Sequence, residues 1–581
     1  MKYSSLVKVY EKIESTSKRL EKTHHISELL KNTDEEDIQR IVLLIRGKLY
    51  PDWDRTKIGV ASKLVLKAIN TSSGAGTKNI NSLWKEKGDL GLVAEEVIGN
   101  KSQSTLFSKD LTVSKVFSNL RKVTKMEGSG SVDRKIQLIA ELLSSAKPKE
   151  AKYIVRTVLE DLRAGIGQGT MRDSIVWAFM PVEINYDFES ISIDVDREKY
   201  NKYCDIVQAA YDRSNDFSEV VNAAIKGVKE LKKVKIIPGK PIKVMLAQKV
   251  VDIDEGFERV GKPAEIEYKY DGFRMQIHKH EGNITIFTRR LEDVTKQFPE
   301  VADYVNEHVG GDSFILDCEA VGYDSKSEKY TAFQHISQRI RRKYNIQELS
   351  KKYPVELNVF DILYHNGKEV LDESLKDRRE LLEKIISEKK FQIVISKKLV
   401  TGDKKEGLKF YEESVQKGNE GVMMKSLESI YKPGSRVGFM VKLKSAMDTL
   451  DLVVVGAEWG EGKRSGWLTS FTLATINDEG EFVEVGKVGT GVKEKSEEGL
   501  SFGELTELLN PHIIKEVGRE VKVKPKVVLE IKFEEIQKSP TYGSGYALRF
   551  PRVIQLREDR DPEDCSSKDM IVEAYENQKK N

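Results

Sequence analysis

The spacing of apolar residues changes near Val234, and this change limits most strongly what the chain can fold into. Before that point, segments such as EEDIQRIVLLIRGKL and EAKYIVRTVLEDLRAG repeat apolar residues every three or four positions, which predicts amphipathic helices. After it, alternating runs such as NITIFT predict strands interleaved with helices. The 581 residues also exceed the roughly 250–300 at which one hydrophobic core stops growing, so several domains are expected.

We predict three domains: a helical domain over residues 1–236, a mixed α/β domain over 237–445 and a small β-barrel over 446–581. The first is expected to be all-helical, with turn-rich breaks at NTSSGAG and EGSGSV. The basic segment from Ala224 to Lys243 predicts a helix that passes into an interdomain linker. After Ser445, short strands separated by glycine turns are typical of a barrel of the oligonucleotide-binding (OB) kind.

Composition narrows the class of protein. Lys and Arg total 96 against 93 Asp and Glu, so the net charge of +3 argues only weakly for nucleic acid and any basic surface must be local. The three cysteines, Cys204, Cys318 and Cys565, form no CxxC pair and no disulfide framework. No run approaches the 18 apolar residues of a membrane span. A soluble cytoplasmic protein is expected.

The segment EYKYDGFR, from Glu267 to Arg274, carries the clearest chemical signal. Its flanks alternate, so we predict that Lys269 and Asp271 lie on one face of a strand that turns at Gly272. A lysine amine attacks phosphorus only in its neutral form, so nearby cations or burial must favour that form; Arg274, Lys425, Lys442 and Lys444 are the candidate cations. The six residues of the motif KxDGxR alone do not distinguish a lysine nucleophile from an ordinary charged strand and turn on the surface.

Further motifs follow in order. They are FTRRLEDVTKQFPE (287–300), ILDCEAVGYD (315–324), NVFDILYHNG (358–367), EGVMMK (420–425), YKPGSRVGFMVKLK (431–444) and ALRFPRVIQLREDRDPED (547–564). In order and spacing the series resembles that of ATP-dependent DNA ligases of the archaeal and eukaryotic replicative type. DLRAGIGQGT (161–170) resembles the DNA-binding domain of that family, so the resemblance covers nearly the whole chain.

The resemblance implies a multidomain α+β fold. It consists of a helical DNA-binding domain, a mixed α/β nucleotidyltransferase (ATP-grasp-like) domain and a C-terminal OB-fold barrel. It also implies an enzyme that seals nicks in duplex DNA during replication, recombination and repair, with ATP and Mg²⁺ as cofactors. The protein is then expected at the nucleoid and as a monomer. Family analogy also implies a sliding clamp as a partner, although no short segment of the chain indicates a clamp-binding motif.

The same resemblance assigns roles to individual residues. Lys269 forms a phosphoamide with AMP, Phe360 stacks on adenine, Arg289 and Glu319 hold the ribose, and Glu420 and Asp271 place the metal ion. The residues implied for nucleotide binding are Glu267, Arg274, Arg289, Glu319, Phe360, Arg436, Lys442, Lys444, Arg549 and Arg552. Taken singly, each has an ordinary structural explanation; Phe360 in VFDIL alone reads as a core residue. The ordered series favours the functional interpretation.

Arg549 and Arg552 lie on the predicted barrel, so they reach the β- and γ-phosphates only if the barrel closes over ATP. We therefore expect the barrel to close over ATP for the first step and to reopen so that it can turn toward DNA. The chain departs from the family pattern where RxDK reads Arg557-Glu558-Asp559-Arg560, with Gln555 in place of a basic residue. A tryptophan common before the LK pair is replaced by Phe439-Met440.

Nick sealing has no need to read sequence, so contacts with DNA should go chiefly to phosphates. The candidate elements are Arg163 in LRAGIGQGT, the lysines between Lys226 and Lys243, the cluster Arg339, Arg341, Arg342 and Lys343, and the pair Lys463 and Arg464. For LRAGIGQGT the alternative is a helix end with a left-handed cap.

Four rival functions share part of this pattern. An RNA ligase or a GTP-using capping guanylyltransferase would carry a KxDGxR lysine, but not ordinarily a helical domain of this length. An NAD-dependent ligase is disfavoured because three cysteines cannot form its four-cysteine zinc site. A noncatalytic DNA clamp on the same fold is disfavoured by intact Lys269, Glu319 and Glu420.

Overall fold

A computed structural model describes residues 1–100, 110–327, 329–331, 336, 339–340, 344–444, 449–477 and 479–580. Over residues 1–231 the described chain is helical apart from one hairpin. The helices are α1 (Tyr3–Glu14), α2 (Arg19–Lys31), α3 (Glu35–Ile45), α4 (Ser62–Ser73), α5 (Thr77–Lys87), α6 (Leu90–Gly99), α7 (Val113–Thr124), α8 (Ser131–Ser145), α9 (Pro148–Val158), α10 (Gln168–Phe179), α11 (Arg197–Ser214), α12 (Phe217–Ile225) and α13 (Val228–Leu231).

These helices form where apolar spacing and capping residues coincide. In α9, Pro148 occupies the first turn and the Glu150 side chain accepts a hydrogen bond of 2.8 Å from the Lys147 amide, so an otherwise unpaired helix-end donor is satisfied. The apolar face of α9 is buried, and Tyr153 stacks on Tyr10 of α1 with ring centroids 4.7 Å apart. Helix packing of this kind supplies the core of the region.

The expectation of an all-helical domain is wrong at one place. Strands β1 (Asn185–Asp187) and β2 (Ser192–Asp194) pair antiparallel between α10 and α11. In this stretch, NYDFESISID, partly buried and exposed residues alternate, which is the period of a strand rather than of a helix.

The central region contains two sheets. Its strands are β3 (Leu246–Val250), β4 (Ala264–Lys269), β5 (Phe273–His280), β6 (Asn283–Thr288), β7 (Phe314–Tyr323), β8 (Tyr330–Thr331), β9 (Val355–His365), β10 (Lys368–Glu369), β11 (Ile393–Ile395), β12 (Lys398–Thr401), β13 (Gly421–Ser426) and β14 (Arg436–Lys444). Sheet A has the order β10-β9-β7-β5-β6, with β11 beside β9 and β8 beside β7; sheet B has the order β12-β4-β13-β14-β3. The helices are α14 (Ile253–Val260), α15 (Pro299–His308), α16 (Ile346–Lys352), α17 (Leu375–Ile385) and α18 (Lys404–Gln416).

The register of these strands brings distant motifs together. In sheet A, Arg274 of β5 lies opposite Glu319 of β7, which in turn lies opposite Asn358 of β9. In sheet B, Lys269 lies opposite Gly421. Side chains of alternate residues share a face, so each motif contributes two or three groups to one side of its sheet.

The C-terminal region is rich in β-structure. Its strands are β15 (Thr449–Trp459), β16 (Leu468–Ile476), β17 (Phe482–Val488), β18 (Ile513–Val517), β19 (Glu520–Val523), β20 (Val528–Lys532), β21 (Glu535–Lys538), β22 (Tyr546–Arg549) and β23 (Arg552–Leu556). The long strand β15 pairs with β16, β19 and β20, and β23 extends the sheet beyond β20. Helices α19 (Phe502–Leu509) and α20 (Lys568–Lys580) complete the region.

Residues 232–245, between α13 and β3, have no regular structure and run along the central region. The Gly239 amide donates to His278 Nδ1 at 2.9 Å, and the Ile242 amide donates to Gln276 Oε1 at 2.8 Å. The segment from Ala224 to Lys243 therefore begins as helix and, after α13, continues without regular structure beside β5. Within the described residues, every helix is too short or too polar to cross a lipid bilayer.

Candidate active site

A cavity of about 2460 Å³ is lined by strands of both central sheets and by the C-terminal region. All the residues predicted for catalysis, nucleotide binding and metal binding line it. They are Glu267, Lys269, Asp271, Arg274, Arg289, Glu319, Phe360, Glu420, Arg436, Lys442, Lys444, Arg549 and Arg552. Seven separate sequence segments thus meet at one place.

Lys269 is the last residue of β4, and its ammonium is held by a carboxylate. Its Nζ lies 2.6 Å from Glu420 Oε2, and Lys444 Nζ lies 2.8 Å from the same oxygen. Burial opposes charge on Glu420, but the two ammonium groups outweigh it and lower the pKa of the carboxyl. The adjoining Gly421 has φ +141°, and a Cβ there would lie 2.1 Å from the Leu443 carbonyl oxygen. Only glycine therefore lets Glu420 reach this position.

The turn after Lys269 differs from the expected strand. Strand β4 ends at Lys269 and β5 begins at Phe273, so Asp271 lies in the turn rather than on the strand. A Cβ on Gly272 would lie 2.7 Å from both the Ala320 oxygen and Glu319 Cγ. The chain turns here because Gly272 packs directly against β7, and the turn leaves Asp271 facing the same cavity.

Glu319 and Lys442 carry perturbed proton affinities at this cavity. Desolvation raises the pKa of Glu319 to about 8, against the opposing effects of Lys269 and Arg274. Desolvation, followed by repulsion from Lys444 and Lys269, lowers the pKa of Lys442. The Glu319 carboxyl therefore keeps its proton near neutral pH. A protonated carboxyl can both donate and accept hydrogen bonds.

Arg274 is held by a buried ion pair. Its Nε and Nη2 lie 2.9 and 2.5 Å from the two oxygens of Asp317, whose side chain is fully buried. The Tyr431 hydroxyl donates to Asp317 at 2.8 Å, and Arg274 Nη1 donates to the Met245 carbonyl at 3.2 Å. Asp317 therefore compensates the charge of Arg274, one of the candidate cations near Lys269.

Phe360 lines the cavity beside two cations. The Arg274 guanidinium and the Lys425 ammonium each lie 5.1 Å from its ring centroid. Lys425 Nζ also lies 2.8 Å from Glu267 Oε2. The second oxygen of Glu267 is buried and has no hydrogen-bond partner among the described residues. That oxygen faces Arg379, whose Nη1 lies 3.6 Å away, and Lys425 joins Glu267 to the Phe360 ring.

The C-terminal region closes the cavity from the opposite side. Arg549 lies 3.1 Å from Glu535 and lines the cavity together with the exposed Arg552. Glu534 lies 3.1 Å from Lys444 Nζ, so the two regions are joined by an ion pair beside Lys269. The divergent residues Arg557 and Arg560 instead lie 2.9 and 3.1 Å from Asp451, at the start of β15.

The donor set fits Mg²⁺ with few protein ligands. Over the residues that the structure describes, no group of three or more His, Cys, Asp and Glu side chains forms a metal cage. Glu420 and Asp271 are carboxylates on the cavity wall. Mg²⁺ retains several waters and uses one or two carboxylates with substrate phosphates, so these two residues match its needs.

Models of known protein families match three consecutive regions of the chain. The family model described as DNA ligase N terminus matches residues 2–176, the ATP dependent DNA ligase domain matches 244–444, and the ATP dependent DNA ligase C terminal region matches 464–560. The DNA ligase of Nanoarchaeum equitans is 46% identical over 583 aligned positions, covering 100% of this chain and 99% of the relative. The chain belongs to the ATP-dependent DNA ligase family.

Further relatives of the ligase are equally complete. The DNA ligase of Thermococcus fumicolans is 38% identical and covers 99% of the chain and 98% of the relative. Among solved structures, the chain named Pmar-Lig_PreS3 has a TM-score of 0.55 at 17% identity, covering 95% of the ligase and 99% of that chain. This last likeness concerns the fold alone.

The glycine-rich loop that is predicted to contact DNA lies within the described residues. Helix α9 ends in a left-handed cap, as the alternative interpretation expects: Glu160 has φ +57°, and the Asp161 amide donates to the Arg156 carbonyl at 3.0 Å. Residues 161–167 then connect this cap to α10 without regular structure. Arg163 has φ +59°, and its guanidinium lies 2.9 Å from Asp161 and 3.3 Å from Asp89. The Lys22 ammonium donates to the Ala164 carbonyl at 2.7 Å, so it packs directly against this loop.

Other residues predicted to contact DNA form ion pairs within the ligase. Arg339 is 1% exposed and forms an ion pair of 2.6 Å with Glu300, so the interpretation of Arg339 as a surface cation is wrong. Arg341, Arg342 and Lys343 lie outside the described residues. Two linker lysines also make internal ion pairs: Lys240 with Glu219 at 3.3 Å and Lys243 with Asp52 at 3.8 Å.

Sequence reasoning missed several groups that hold the site. Asp317 is two residues before Glu319 in ILDCE, so strand alternation could have predicted that it lies on the same face of β7 as Glu319. Tyr431, Glu534 and Arg379 gave no such signal, because their contacts join segments far apart in sequence.

Proposed function

We propose that Lys269 is the nucleophile through which the ligase seals nicks in duplex DNA. Its neutral amine attacks the α-phosphorus of ATP, a P–N bond forms, and the bond to pyrophosphate breaks. A 5′-phosphate oxygen at the nick then attacks the same phosphorus, which breaks the P–N bond and returns the amine. Finally the 3′-hydroxyl attacks the activated 5′-phosphate, and AMP leaves. The observation that carries this proposal is the Lys269 side chain in a cavity with every other predicted nucleotide ligand.

The remaining roles follow from the chemistry of each group. Phe360 stacks on the base opposite Glu267, and Arg289 and Glu319 bond the ribose hydroxyls. Arg436, Lys442 and Lys444 neutralise phosphate charge from the central region, and Arg549 and Arg552 do so from the C-terminal region. Phosphoryl-type transfer depends mainly on positioning and charge neutralisation, which is what this arrangement supplies. Arg274 acts indirectly, since Asp317 holds it against the Phe360 ring.

Glu420 and Asp271 would hold Mg²⁺. The ion would neutralise phosphate charge when bound. The same Glu420 carboxylate lies between the Lys269 and Lys444 ammonium groups.

The proposed organisation is three domains, residues 1–236, 237–445 and 446–581, acting as a monomer at nicks in the nucleoid. A sliding-clamp partner is carried over from the family alone. Light scattering of the ligase with nicked DNA, with and without a clamp, tests both points.

The test of function uses labelled nucleotides. The ligase is incubated with α-labelled ATP, α-labelled GTP or adenylate-labelled NAD, and then chased with nicked DNA. Covalent label from ATP that moves to DNA is expected; covalent label from GTP would favour a guanylyltransferase, and label that never leaves the protein would contradict sealing. Lys269→Ala should abolish labelling, whereas Lys249→Ala, at an exposed lysine of the same sheet, should not.

A further inference from the structure

Two lysines that none of the proposed steps uses lie beside the nucleophile, on the side of sheet B away from the C-terminal region. Sheet B has the order β12-β4-β13-β14-β3, and the C-terminal region reaches it at Lys444 of β14 through Glu534. Lys397 comes immediately before β12, which is the strand on the other side of β4, and Lys417 comes immediately after α18. Both lysines line the same cavity as Lys269.

Backbone pairing places Lys397 next to the nucleophile. The Tyr268 amide donates to the Lys397 carbonyl at 3.2 Å, so Lys397 lies beside the residue that precedes Lys269. Neighbouring strands are about 4.8 Å apart, so the main chain at Lys397 is about one strand spacing from the chain that carries the nucleophile. A basic side chain at this position is therefore close to the site of bond formation without belonging to the nucleotide ligands.

Both ammonium groups lie over one aromatic ring. Lys397 Nζ is 5.2 Å and Lys417 Nζ is 5.4 Å from the ring centroid of Tyr268. The ring is buried and packs against Phe410, with centroids 4.8 Å apart, so its position is fixed by the core. A cation within about 6 Å of an aromatic face is attracted by it. Tyr268 therefore holds the two lysines at the rim of the cavity.

One carboxylate serves both ammonium groups. Glu413 Oε1 lies 2.6 Å from Lys397 Nζ and 2.8 Å from Lys417 Nζ. Hydrogen bonds from these lysines lower the pKa of Glu413 to about 2, so the carboxyl is ionised near neutral pH. Two positive charges and one negative charge leave a net charge of +1. The lysine side chains are 48% and 52% exposed, and an ammonium has three donors, so each can bind a second anion.

The position and charge of this cluster fit a backbone phosphate of DNA. The proposed second step brings the 5′-phosphate of a nick to Lys269, so the duplex has to pass over the rim of the cavity. The C-terminal region closes the opposite side with the cations assigned to ATP, Arg549 and Arg552. Lysine binds phosphate as a point charge and reads no base, which suits an enzyme that acts at any sequence.

We propose that Lys397, Lys417 and Glu413 form a phosphate seat, which holds a backbone phosphate of the nicked duplex beside Lys269. The inference rests on the proposed sealing function and deepens it, because it adds residues that position the broken strand. The phosphate seat lies on the side of sheet B away from Lys444 and the C-terminal region. Its lysines should therefore matter for DNA binding and leave the transfer of AMP from ATP to Lys269 unaffected.

The experiment measures binding of the ligase, freed of AMP by pyrophosphate, to a nicked duplex with a 3′-dideoxy end, without ATP and over a range of salt. Each basic residue on a phosphate contributes about 0.9 to the slope of log K against log salt, so Lys397→Ala/Lys417→Ala should reduce the slope by about 1–2 and weaken binding by about tenfold. Labelling by α-labelled ATP should change by less than about twofold. Chase of AMP-charged enzyme on a sealable nick should slow at low DNA concentration and recover at saturating DNA.

Two further variants sharpen the test. Lys405→Ala/Lys409→Ala is the matched control, because it removes the same charge from exposed positions of α18 outside the cavity and should leave the slope unchanged. Glu413→Gln has the opposite sign: it raises the net charge of the phosphate seat from +1 to +2 and should strengthen binding by about threefold.

Several results overturn the proposal. They are an unchanged slope in Lys397→Ala/Lys417→Ala, an equal loss in the control, weaker binding by Glu413→Gln, and a loss of ATP labelling as large as the loss of DNA binding. If the proposed function itself were wrong, the wild-type ligase would fail to pass label from ATP to nicked DNA. That failure is distinct from the salt dependence of the variants, which is measured without ATP.

Discussion

Replacing Arg549 and Arg552 together with alanine tests whether the C-terminal region completes the ATP site. Both line the cavity that contains Lys269, but they belong to β22 and β23. The change should slow transfer of AMP to Lys269 and spare sealing by enzyme that already carries AMP. The reason is that pyrophosphate is the leaving group only in the first step.

The size of the effect follows from the contacts. A hydrogen bond to a charged group contributes about 1.5–3 kcal/mol. Arg549 must leave Glu535, 3.1 Å away, before it can bind phosphate, so the lower value applies to it. The pair then contributes about 3–4 kcal/mol, or a slowing of about 100- to 1000-fold, since about 1.4 kcal/mol is tenfold in rate.

The assay follows single-turnover labelling of the ligase by α-labelled ATP, and separately the chase of purified AMP-charged enzyme with nicked DNA. Arg519→Ala is the matched control, because Arg519 is an exposed arginine of the same region that pairs with Glu461. Equal losses in labelling and in chase would refute the role of the two arginines in the first step. So would a loss of similar size in the control.

Three further predictions test other parts of the account. Glu420→Gln removes the carboxylate between two ammonium groups and should slow covalent labelling by about 100-fold or more, with a higher Mg²⁺ requirement in a titration; unchanged labelling would argue against a metal ligand here. Glu265 keeps in the folded protein a proton that the unfolded chain releases above its ordinary pKa of 4.5. Its contribution to stability is therefore full below that pH and is lost as pH rises to about 8, by at most about 1.4 kcal/mol per unit. Glu265→Gln should flatten this fall in urea denaturation series without removing the part due to Glu319, and an unchanged slope would contradict it. Binding to nicked DNA should weaken steeply with salt, by roughly 0.9 in log–log slope per phosphate contact, and a slope near zero would rule out binding led by phosphates.

The sequence predicted the parts of the fold that local patterns determine. Apolar spacing gave the helices up to Leu231 and the alternation of strands such as β6 and β9, because those periods reflect one buried face. The hairpin at Asn185–Asp194 was missed because its alternation is short and lies within a long helical stretch. The alternating pattern predicts a strand that continues to Asp271, whereas β4 ends at Lys269. The difference arises because the packing of Gly272 on β7 is a tertiary contact.

The candidate site shows the same division. Every residue that the resemblance implied for catalysis, nucleotide binding or metal binding, from Glu267 to Arg552, lines the cavity. It did not reveal that Asp317 compensates Arg274 or that Arg379 reaches Glu267, because such pairing depends on how sheets and helices are stacked. The burial of Arg339 was equally hidden, since QRIRRKY reads as a surface charge cluster until its ion pair with Glu300 is known.

The most direct measurement is peptide mapping of the ligase by mass spectrometry after incubation with ATP and Mg²⁺, before and after a chase with nicked DNA. The account predicts one adenylylated peptide, containing Lys269, whose modification disappears as sealed DNA accumulates. Modification at a different residue, or an adenylylated Lys269 that persists while nicks are sealed, would contradict it.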